Sequence, residues 1–321
     1  MNEAMRLAGI DFTCNPSRRK PITIATGRLD GSRLVVDGVA ELTTLAAFEG
    51  WLRSPGPWLG GFDFPFGLPR AFVEANAFGT TAAEVVASVR GRCATRMAWR
   101  AFIDAWGNAQ PAGARLLHRR TDVASPVTST SPMQTRYVPV GLMYYEGVGR
   151  LIDAGVTLPG LRHGGDPSRV ALEAYPRRLA HALVARRSYK NSDEGDRRAM
   201  REAIVAGLEA GVDRFGFALA CSPALRASLV ADASGDRLDA CSASSRPRRR
   251  RAGPATGCPT TSIRSRAGSP PSERADAGRA PPSPIAGLHE SREERRQERR
   301  RPDDSGVIPL APRARHRRLR P

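Results

Sequence analysis

Three apolar segments of this chain each end in a carboxylate, and this recurrence restricts the possible folds more than any other feature of the sequence. The three carboxylates are Asp11, Asp63 and Glu173. A short apolar run predicts a buried strand, and a carboxylate that ends a buried strand is costly unless a cation or hydrogen-bond donors meet it. We therefore expect a sheet that gathers acidic side chains at one edge. The alternative, an aspartate that only caps a turn, stays open for Asp63.

The chain around these segments predicts an α/β fold. Strand 6–13 and the β-branched segments 20–26 and 33–37 predict an antiparallel three-strand meander. Apolar residues at helical spacing over 42–52 predict a helix. Further helices are predicted at 69–77, 81–90, 95–106, 140–154, 177–187, 194–210 and 222–232. The pattern predicts a mixed sheet, in which parallel strands follow the meander, flanked by helices and carrying a helical insertion.

A long basic loop is expected between residues 108 and 139, where Pro, Ser, Thr, Arg and Gln dominate. A loop of this length is usually functional or mobile. Arg119 and Arg120 lie within it. They are either solvated surface residues or contacts to a phosphate.

Most of the positive charge lies in the last quarter of the chain. The 321 residues carry a net charge of +18, and the segment from Cys241 to Pro321 holds 20 Arg, no Lys and 8 acidic residues. That segment contributes +12, which leaves +6 for the first 240 residues. Because it contains no Phe, Tyr or Trp, it cannot bury enough apolar surface to form a core. We expect a disordered basic tail, which is typical of a nucleic-acid-binding arm.

A shift of reading frame after Ala240 offers a second explanation for the tail. Read one base out of frame with freely chosen wobble bases, residues 240–248 become Leu-Leu-Cys-Val-Val-Gln-Ala-Ala, an apolar helix sequence. Residues 253–269 become an ordinary loop-and-strand sequence with aromatic residues. We therefore predict that residues 1–240 form the folded domain, lacking its last helix in frame. Residues 241–321 are then a frameshift product.

The sequence also indicates where the protein is located. No segment approaches the roughly 18 consecutive apolar residues of a membrane span, and the first residues lack the apolar region of a signal peptide. The five cysteines, at positions 14, 93, 221, 241 and 258, form no CxxC pair. This pattern excludes a disulfide framework and a zinc site. We expect a cytoplasmic protein that does not contact a membrane.

A further acidic pair, Asp236 and Asp239, opens a late helix and shares one helix face because its members lie three residues apart. Hard divalent cations such as Mg²⁺ or Mn²⁺ bind carboxylate oxygens, and two such ions about 3.5–4 Å apart support phosphodiester hydrolysis. No cluster of histidines or cysteines offers a competing centre. The acidic residues therefore predict a metal site for cleavage of nucleic acid, with helix capping by Asp236 as the alternative.

Five motifs carry a resemblance to a known family. They are Gly9-Ile10-Asp11-Phe12, Gly61-Phe62-Asp63-Phe64-Pro65-Phe66-Gly67, Leu172-Glu173-Ala174-Tyr175-Pro176, Tyr189-Lys190 and Asp236-Arg237-Leu238-Asp239-Ala240. Together they resemble the family called domain of unknown function 429, whose members are regarded as predicted nucleases with a ribonuclease-H-like fold. The resemblance covers about residues 6–240. It implies that fold and a nuclease activity, and because the family's activity is itself inferred from its fold, this implication is an analogy.

The resemblance also implies roles for individual acids. Asp11 would bridge the metal ions, and Asp63 and Glu173 would be further ligands or water-orienting groups. Asp239, or Asp236, would complete the site from the last helix.

Other roles for two of these residues stay open from the sequence alone. Lys190 would contact a phosphate or the scissile oxygen, or would be an ordinary solvated lysine. Glu173 would bind metal, or would form an ion pair with Arg177 or Arg178.

Two other functions also stay open. Actin-like and sugar-kinase-like phosphotransferases share this type of fold and place an aspartate on the first strand, where they bind ATP. They need a glycine-rich phosphate turn after the early strands, and Asp11-Phe12-Thr13-Cys14-Asn15 contains no glycine. A non-catalytic nucleic-acid-binding protein is the third possibility, with the loop at 108–139 and the helix at 177–187 as its contact surface.

Overall fold

The computed structural model describes residues 5–124, 127–162 and 164–245. The tail predicted for residues 241–321 therefore lies almost wholly outside the described residues. The frame-shifted segment beyond Ser245 lies outside them as well.

A seven-stranded mixed sheet forms the centre of the described residues. Its strands are β1 (Arg6–Asp11), β2 (Ile22–Asp30), β3 (Arg33–Leu42), β4 (Trp58–Phe62), β5 (Val156–Thr157), β6 (Asp166–Glu173) and β7 (Ala218–Ala220). Their spatial order is β5-β6-β4-β1-β2-β3-β7. The strands β1, β2 and β3 form an antiparallel meander, and β4 and β6 continue the sheet in parallel beside β1. The predicted mixed sheet is therefore confirmed.

Eleven helices are present in the described part of the chain. They are α1 (Leu45–Leu52), α2 (Arg70–Ala75), α3 (Ala82–Arg92), α4 (Arg96–Asn108), α5 (Arg120–Val123), α6 (Val140–Asp153), α7 (Pro176–Val184), α8 (Gly195–Glu209), α9 (Val212–Phe215), α10 (Pro223–Ala231) and α11 (Asp236–Ala243). Every helix predicted from apolar spacing is present. The strands β5 and β7 and the four-residue helices α5 and α9 were not predicted, because so few residues show no periodic pattern. None of the described helices combines the length and the apolar character that crossing a lipid bilayer requires.

Short polar residues determine where several helices begin. Thr44, Thr95 and Ser222 each accept a hydrogen bond from the backbone amide three residues later, at the starts of α1, α4 and α10. At α3, Thr81 and Glu84 form a reciprocal capping box. Because these side chains satisfy amides that have no partner within the helix, they fix each helix start at the end of the preceding loop.

Alternate residues of β1 face two different hydrophobic cores. Ala8 and Ile10 belong to the core that includes side chains of α1, α3, α4 and α6. Leu7 belongs to the core that includes side chains of α7, α8, α10 and α11. Because side chains alternate along a strand, Asp11 leaves β1 on the same face as Leu7. This face carries the candidate site.

The helix α11 lies against β1 and β2 on this face. At Gly9, a Cβ atom would lie 1.9 Å from the carbonyl oxygen of Ala240 and 2.3 Å from the backbone nitrogen of Ser244. Only glycine permits so close an approach between strand and helix. The contact brings the first turn of α11 to the carboxyl end of β1.

Candidate metal centre

Asp11 ends β1, and Asp63 directly follows the neighbouring parallel strand β4. Ile10 pairs with Phe62 in the register, and the amide of Asp63 donates to the carbonyl of Ile10 at 2.9 Å. The next residue on each strand is the aspartate, so both carboxylates leave the sheet on the face that carries α11. The two acids predicted from separate motifs are therefore neighbours.

A third carboxylate reaches this point from α11. One carboxylate oxygen each of Asp11, Asp63 and Asp239 lies within 4.8 Å of the others. Asp11 and Asp239 are buried, and Asp63 is half-buried. The helix begins after Gly235, whose φ of 74° is left-handed and whose Cβ would lie 2.9 Å from Cγ of Lys190. Glycine at this position thus lets the chain turn into α11 beside Lys190.

Asp236 lies in the same helical turn and is only 4 % exposed. Its Oδ2 accepts a hydrogen bond from Nζ of Lys20 at 2.6 Å. Within the described residues, its Oδ1 has no hydrogen-bond partner, and Nζ of Lys190 lies 3.7 Å away. A buried carboxylate oxygen without a donor is energetically costly, so this atom is available to a further cationic ligand.

Tyr189 and Lys190 hold Asp239 from the loop between α7 and α8. The hydroxyl of Tyr189 donates to Oδ1 of Asp239 at 2.6 Å, and Nζ of Lys190 contacts Oδ2. Nζ of Lys190 also lies 3.9 Å from Oδ1 of Asp11. The Lys190 ammonium is therefore surrounded by acids that come from β1 and α11.

Arg201 of α8 fixes the backbone of this loop from inside the protein. It is completely buried, and its guanidinium donates to the carbonyls of Tyr189 at 3.0 Å, Ser192 at 2.9 Å and Val230 at 2.7 Å. It also donates to the carboxylate of Asp193 at 2.8 Å. Because all these partners lie on the loop or at the end of α10, Arg201 positions Tyr189 and Lys190 without contacting Asp11, Asp63, Asp236 or Asp239.

Burial of the carboxylates, together with their proximity to one another, raises the pKa of Asp11 and of Asp63. Burial, and then repulsion by Asp236 and Asp239, raise the pKa of Asp11 to about 7, although Lys190 opposes the shift. Burial and the charges of Asp11 and Asp239 likewise raise the pKa of Asp63 well above its ordinary value. For Lys190, burial disfavours the charged form, but the surrounding carboxylates outweigh it and raise its pKa. The cluster therefore retains protons at neutral pH unless another cation replaces them.

Glu173, the third acid predicted for the site, lies elsewhere. In the register Glu173 pairs with Phe62 rather than with Asp63, so it leaves the sheet on the opposite face. Its oxygens accept hydrogen bonds from the Arg119 guanidinium at 2.6 and 2.8 Å and from the amide of Phe66 at 2.9 Å. The structure does not bring Glu173 into the group of three carboxylates. Its ion-pair partner is Arg119 rather than an arginine of the following helix.

The two arginines predicted as weak substrate contacts differ in their surroundings. The guanidinium of Arg119 is shared between Glu173 and the buried carboxylate of Asp122, and Asp122 also accepts a hydrogen bond from Ser129 at 2.7 Å. Through these contacts, Arg119 connects the segment predicted as a loop at 108–139 to the end of β6. Arg120 is exposed at the start of α5, a short helix within the segment predicted to be a loop.

Sequence reasoning assigned no role to Lys20 or Arg201, and none to Tyr189 beyond its motif. One signal for Lys20 was present: of the 50 Lys and Arg residues, only Lys20 and Lys190 are lysines. Both contact Asp236 at the acidic cluster. No comparable signal marks Arg201, since its importance depends on complete burial.

The donor set suits a hard divalent ion. Carboxylate oxygens are the ligands that Mg²⁺ and Mn²⁺ prefer, and the oxygens of Asp11, Asp63 and Asp239 are close enough to share one ion. The buried Oδ1 of Asp236 adds an acceptor that lacks a donor among the described residues. The residues present therefore fit such a metal.

Comparison with protein-family models, with curated proteins and with solved structures found no match to this chain. The resemblance to domain of unknown function 429 therefore stays a prediction.

Proposed function

We propose that this protein is a nuclease that uses a divalent metal, Mg²⁺ or Mn²⁺, to hydrolyse the phosphodiester bonds of a nucleic acid. The observation that carries the proposal is the convergence of Asp11, Asp63 and Asp239 from two strand ends and a helix. Carboxylates at this separation repel one another, so protons or a cation must compensate their charge. Metal ions held by carboxylates are a common basis of phosphodiester hydrolysis.

The arrangement of strands around β1 supports a ribonuclease-H-like fold. The antiparallel meander β1–β2–β3, followed by β4 and β6 in parallel beside β1, agrees with what the family resemblance implies. The acids also lie at the carboxyl ends of β1 and β4, where open α/β sheets commonly bind ligands.

Two basic segments border the acids and favour a polyanionic substrate. Arg18 and Arg19 directly precede Lys20, and Arg186 and Arg187 lie shortly before Lys190. All four arginines are exposed, and none of them forms an ion pair with a carboxylate of the described residues. Exposed arginines on either side of a site attract a phosphate backbone and position it.

The side chains at the site would have different roles in the hydrolysis. Asp11, Asp63 and Asp239 would hold the metal, which when bound would supply a water of lowered pKa and positive charge at the scissile phosphate. Tyr189 fixes the orientation of Asp239 through its hydroxyl. Asp63 is half-buried, so it would also orient the attacking water.

Hydrolysis is favoured over phosphotransfer from ATP. Residues 12–21, which follow β1, contain no glycine. A tight phosphate-binding turn relies on glycine because its backbone amides must approach the phosphate closely.

The four described cysteines are free thiols, which supports the proposed cytoplasmic location.

A cleavage panel on the purified chain tests the proposal. Single-stranded and duplex DNA and RNA are incubated with Mg²⁺, Mn²⁺ or a chelator. We expect cleavage only with metal, and a loss of at least about 100-fold in Asp11→Asn, because a ligand of the metal is removed. Asp37→Asn is the matched control, since Asp37 is exposed on β3 and pairs only with Arg28 among the described residues.

The outcomes separate the competing functions. Cleavage that survives the chelator, or an Asp11→Asn variant as active as the control, contradicts a metal nuclease. Binding without cleavage in every arm indicates a nucleic-acid-binding protein. Protection by ATP in a melting assay indicates a phosphotransferase.

A further inference from the structure

The two lysines of this chain lie at the same place. Every other cationic side chain among its 50 Lys and Arg residues is arginine. Lys20 comes from the loop after β1 and Lys190 from the loop before α8, and both approach Asp236. A chain that uses arginine at almost every basic position thus has ammonium groups beside its acidic cluster.

Lys190 is the more enclosed of the two. Its Nζ contacts Asp239 and lies 3.7 Å from Oδ1 of Asp236 and 3.9 Å from Oδ1 of Asp11. An ammonium is a compact point charge, whereas a guanidinium is a planar fork of five donors. Only the compact group resembles a metal ion in size and in its ability to face three carboxylates from one position. Lys20, by contrast, has a half-exposed side chain.

The formal charges at the site allow a single divalent ion. Four carboxylates face the cluster, from Asp11, Asp63, Asp236 and Asp239, and the two lysines supply two positive charges. The remainder is a charge of −2, which one divalent ion neutralises. A second ion would leave an excess of two positive charges, and the scissile phosphodiester brings only one negative charge.

We propose that Lys190 takes the place of the second metal ion, so that the site binds one divalent ion on Asp11, Asp63 and Asp239 and uses the Lys190 ammonium as its second cation. This inference rests on the proposed metal-dependent function, and it replaces the two ions expected from the sequence with one. Lys190 is 29 % exposed, so its ammonium can also reach a phosphate oxygen of the substrate.

The number of bound ions tests the inference without measuring activity. Mn²⁺ is titrated into the full chain by calorimetry, and the spin resonance spectrum of the complex is recorded. We expect one ion per chain with the six-line spectrum of an isolated Mn²⁺. In Lys190→Met, the position that faces Asp11, Asp236 and Asp239 loses its cation, and we expect two ions with an exchange-coupled spectrum. The matched control is Lys20→Met, for which we expect one ion, because Lys190 still occupies the position that faces Asp11, Asp236 and Asp239.

A second measurement does not depend on a stable variant. A chain labelled with ¹⁵N-lysine gives two side-chain ammonium signals, because the sequence contains two lysines. When the protein is saturated with Mg²⁺, we expect the Lys190 ammonium to stay bound to carboxylates. Its hydrogens should still exchange slowly with water, and its chemical shift should still differ from that of a solvated lysine. Substoichiometric Mn²⁺ should broaden it more strongly than the signal of Lys20.

The results separate failure of this inference from failure of the proposed function. The inference is overturned if the unmodified chain binds two exchange-coupled ions. It is also overturned if the Lys190 signal moves to the position of a solvated lysine when Mg²⁺ is added. Either result leaves the nuclease proposal standing. One ion in both the unmodified chain and a folded Lys190→Met variant also overturns it. If no Mn²⁺ binds to any of the proteins, the metal-dependent function falls, and the inference falls with it.

Discussion

Asp11 and Asp63 are locked side by side by the sheet, because the amide of Asp63 donates at 2.9 Å to the carbonyl of Ile10, the residue before Asp11. The backbones that carry the two carboxylates cannot separate unless the pairing of β1 and β4 breaks at its end. Their repulsion is therefore relieved by protonation or by a cation. This relationship gives the site a pH dependence with a definite sign.

The first prediction concerns the stability of the metal-free protein between pH 4 and 7. The pKa of Asp11 is about 7 in the folded protein, whereas its ordinary value, which applies to the unfolded chain, is 3.8. At a pH between these two values, Asp11 has lost its proton in the unfolded chain but keeps it in the folded protein. The free energy of unfolding therefore falls as the pH rises through this window, and the loss is complete above about pH 7. Asp63, whose pKa is also raised, acts in the same direction.

Thermal unfolding of the protein and of Asp11→Asn, with and without Mg²⁺, measures this effect. The difference in melting temperature between the two proteins separates the contribution of Asp11 from that of other titrating groups. We expect Mg²⁺ to raise the melting temperature more at pH 8 than at pH 5, because the metal must displace protons at the lower pH. An equal rise at both values would contradict the prediction.

Strand ends could be predicted from the sequence, but strand register could not. The apolar runs before Asp11, Asp63 and Glu173 gave no information on which carboxylates share a face. Register decides this, since Phe62 pairs with Ile10 and thus places Asp63 beside Asp11. Glu173 instead pairs with Phe62 and leaves the sheet on the other side. The role of Arg201 could not be predicted either, because its partners are backbone carbonyls brought together by tertiary packing.

The second prediction concerns Gly9, the contact point between β1 and α11. In Gly9→Ala, the new Cβ would lie 1.9 Å from the carbonyl oxygen of Ala240, so α11 must shift. We expect a loss of about 1–3 kcal/mol in unfolding free energy, as for other overpacked cores. Because Asp236 and Asp239 move with α11, we also expect weaker Mn²⁺ binding.

Gly38→Ala is the control for this substitution. Gly38 lies in β3, and a Cβ there would have no heavy atom within 4 Å. Urea unfolding and Mn²⁺ calorimetry of both variants decide the outcome. If Gly9→Ala resembles the control in both measurements, α11 does not depend on this contact.

The third prediction concerns Arg201. In Arg201→Met, the carbonyls of Tyr189, Ser192 and Val230 lose their donor, and those of Tyr189 and Val230 are buried. We expect a destabilisation of about 3 kcal/mol in urea unfolding, because buried acceptors are left unpaired. We also expect Mn²⁺ affinity to fall, since the loop that carries Tyr189 and Lys190 is released.

Arg198→Met separates this role from a general effect of removing an arginine from α8. Arg198 is half-exposed and lies 3.8 Å from Asp193. Its loss should change stability by less than about 0.5 kcal/mol and leave Mn²⁺ binding unaltered. Equal effects of the two substitutions would show that Arg201 does not position the loop.

The last prediction concerns the end of α11, where three serines occupy buried positions. Ser242, Ser244 and Ser245 are each less than 5 % exposed. The hydroxyls of Ser244 and Ser245 donate at 2.6 Å to backbone carbonyls three residues earlier, those of Cys241 and Ser242. Such bonds satisfy the hydroxyls but add no apolar contact to the core on this face of the sheet.

The shifted reading frame would change this helix end in a specific way. It replaces the three serines by Leu, Val and Val and continues the apolar sequence beyond Ser245. Each aliphatic side chain buried in this way contributes about 1.5–3 kcal/mol. We therefore expect a chain with the frame restored after Ala240 to exceed the present chain by at least about 3 kcal/mol in unfolding free energy. Urea unfolding of both proteins measures the difference. A cooperative two-state transition of the present chain, as stable as that of the restored one, would show that α11 needs no continuation.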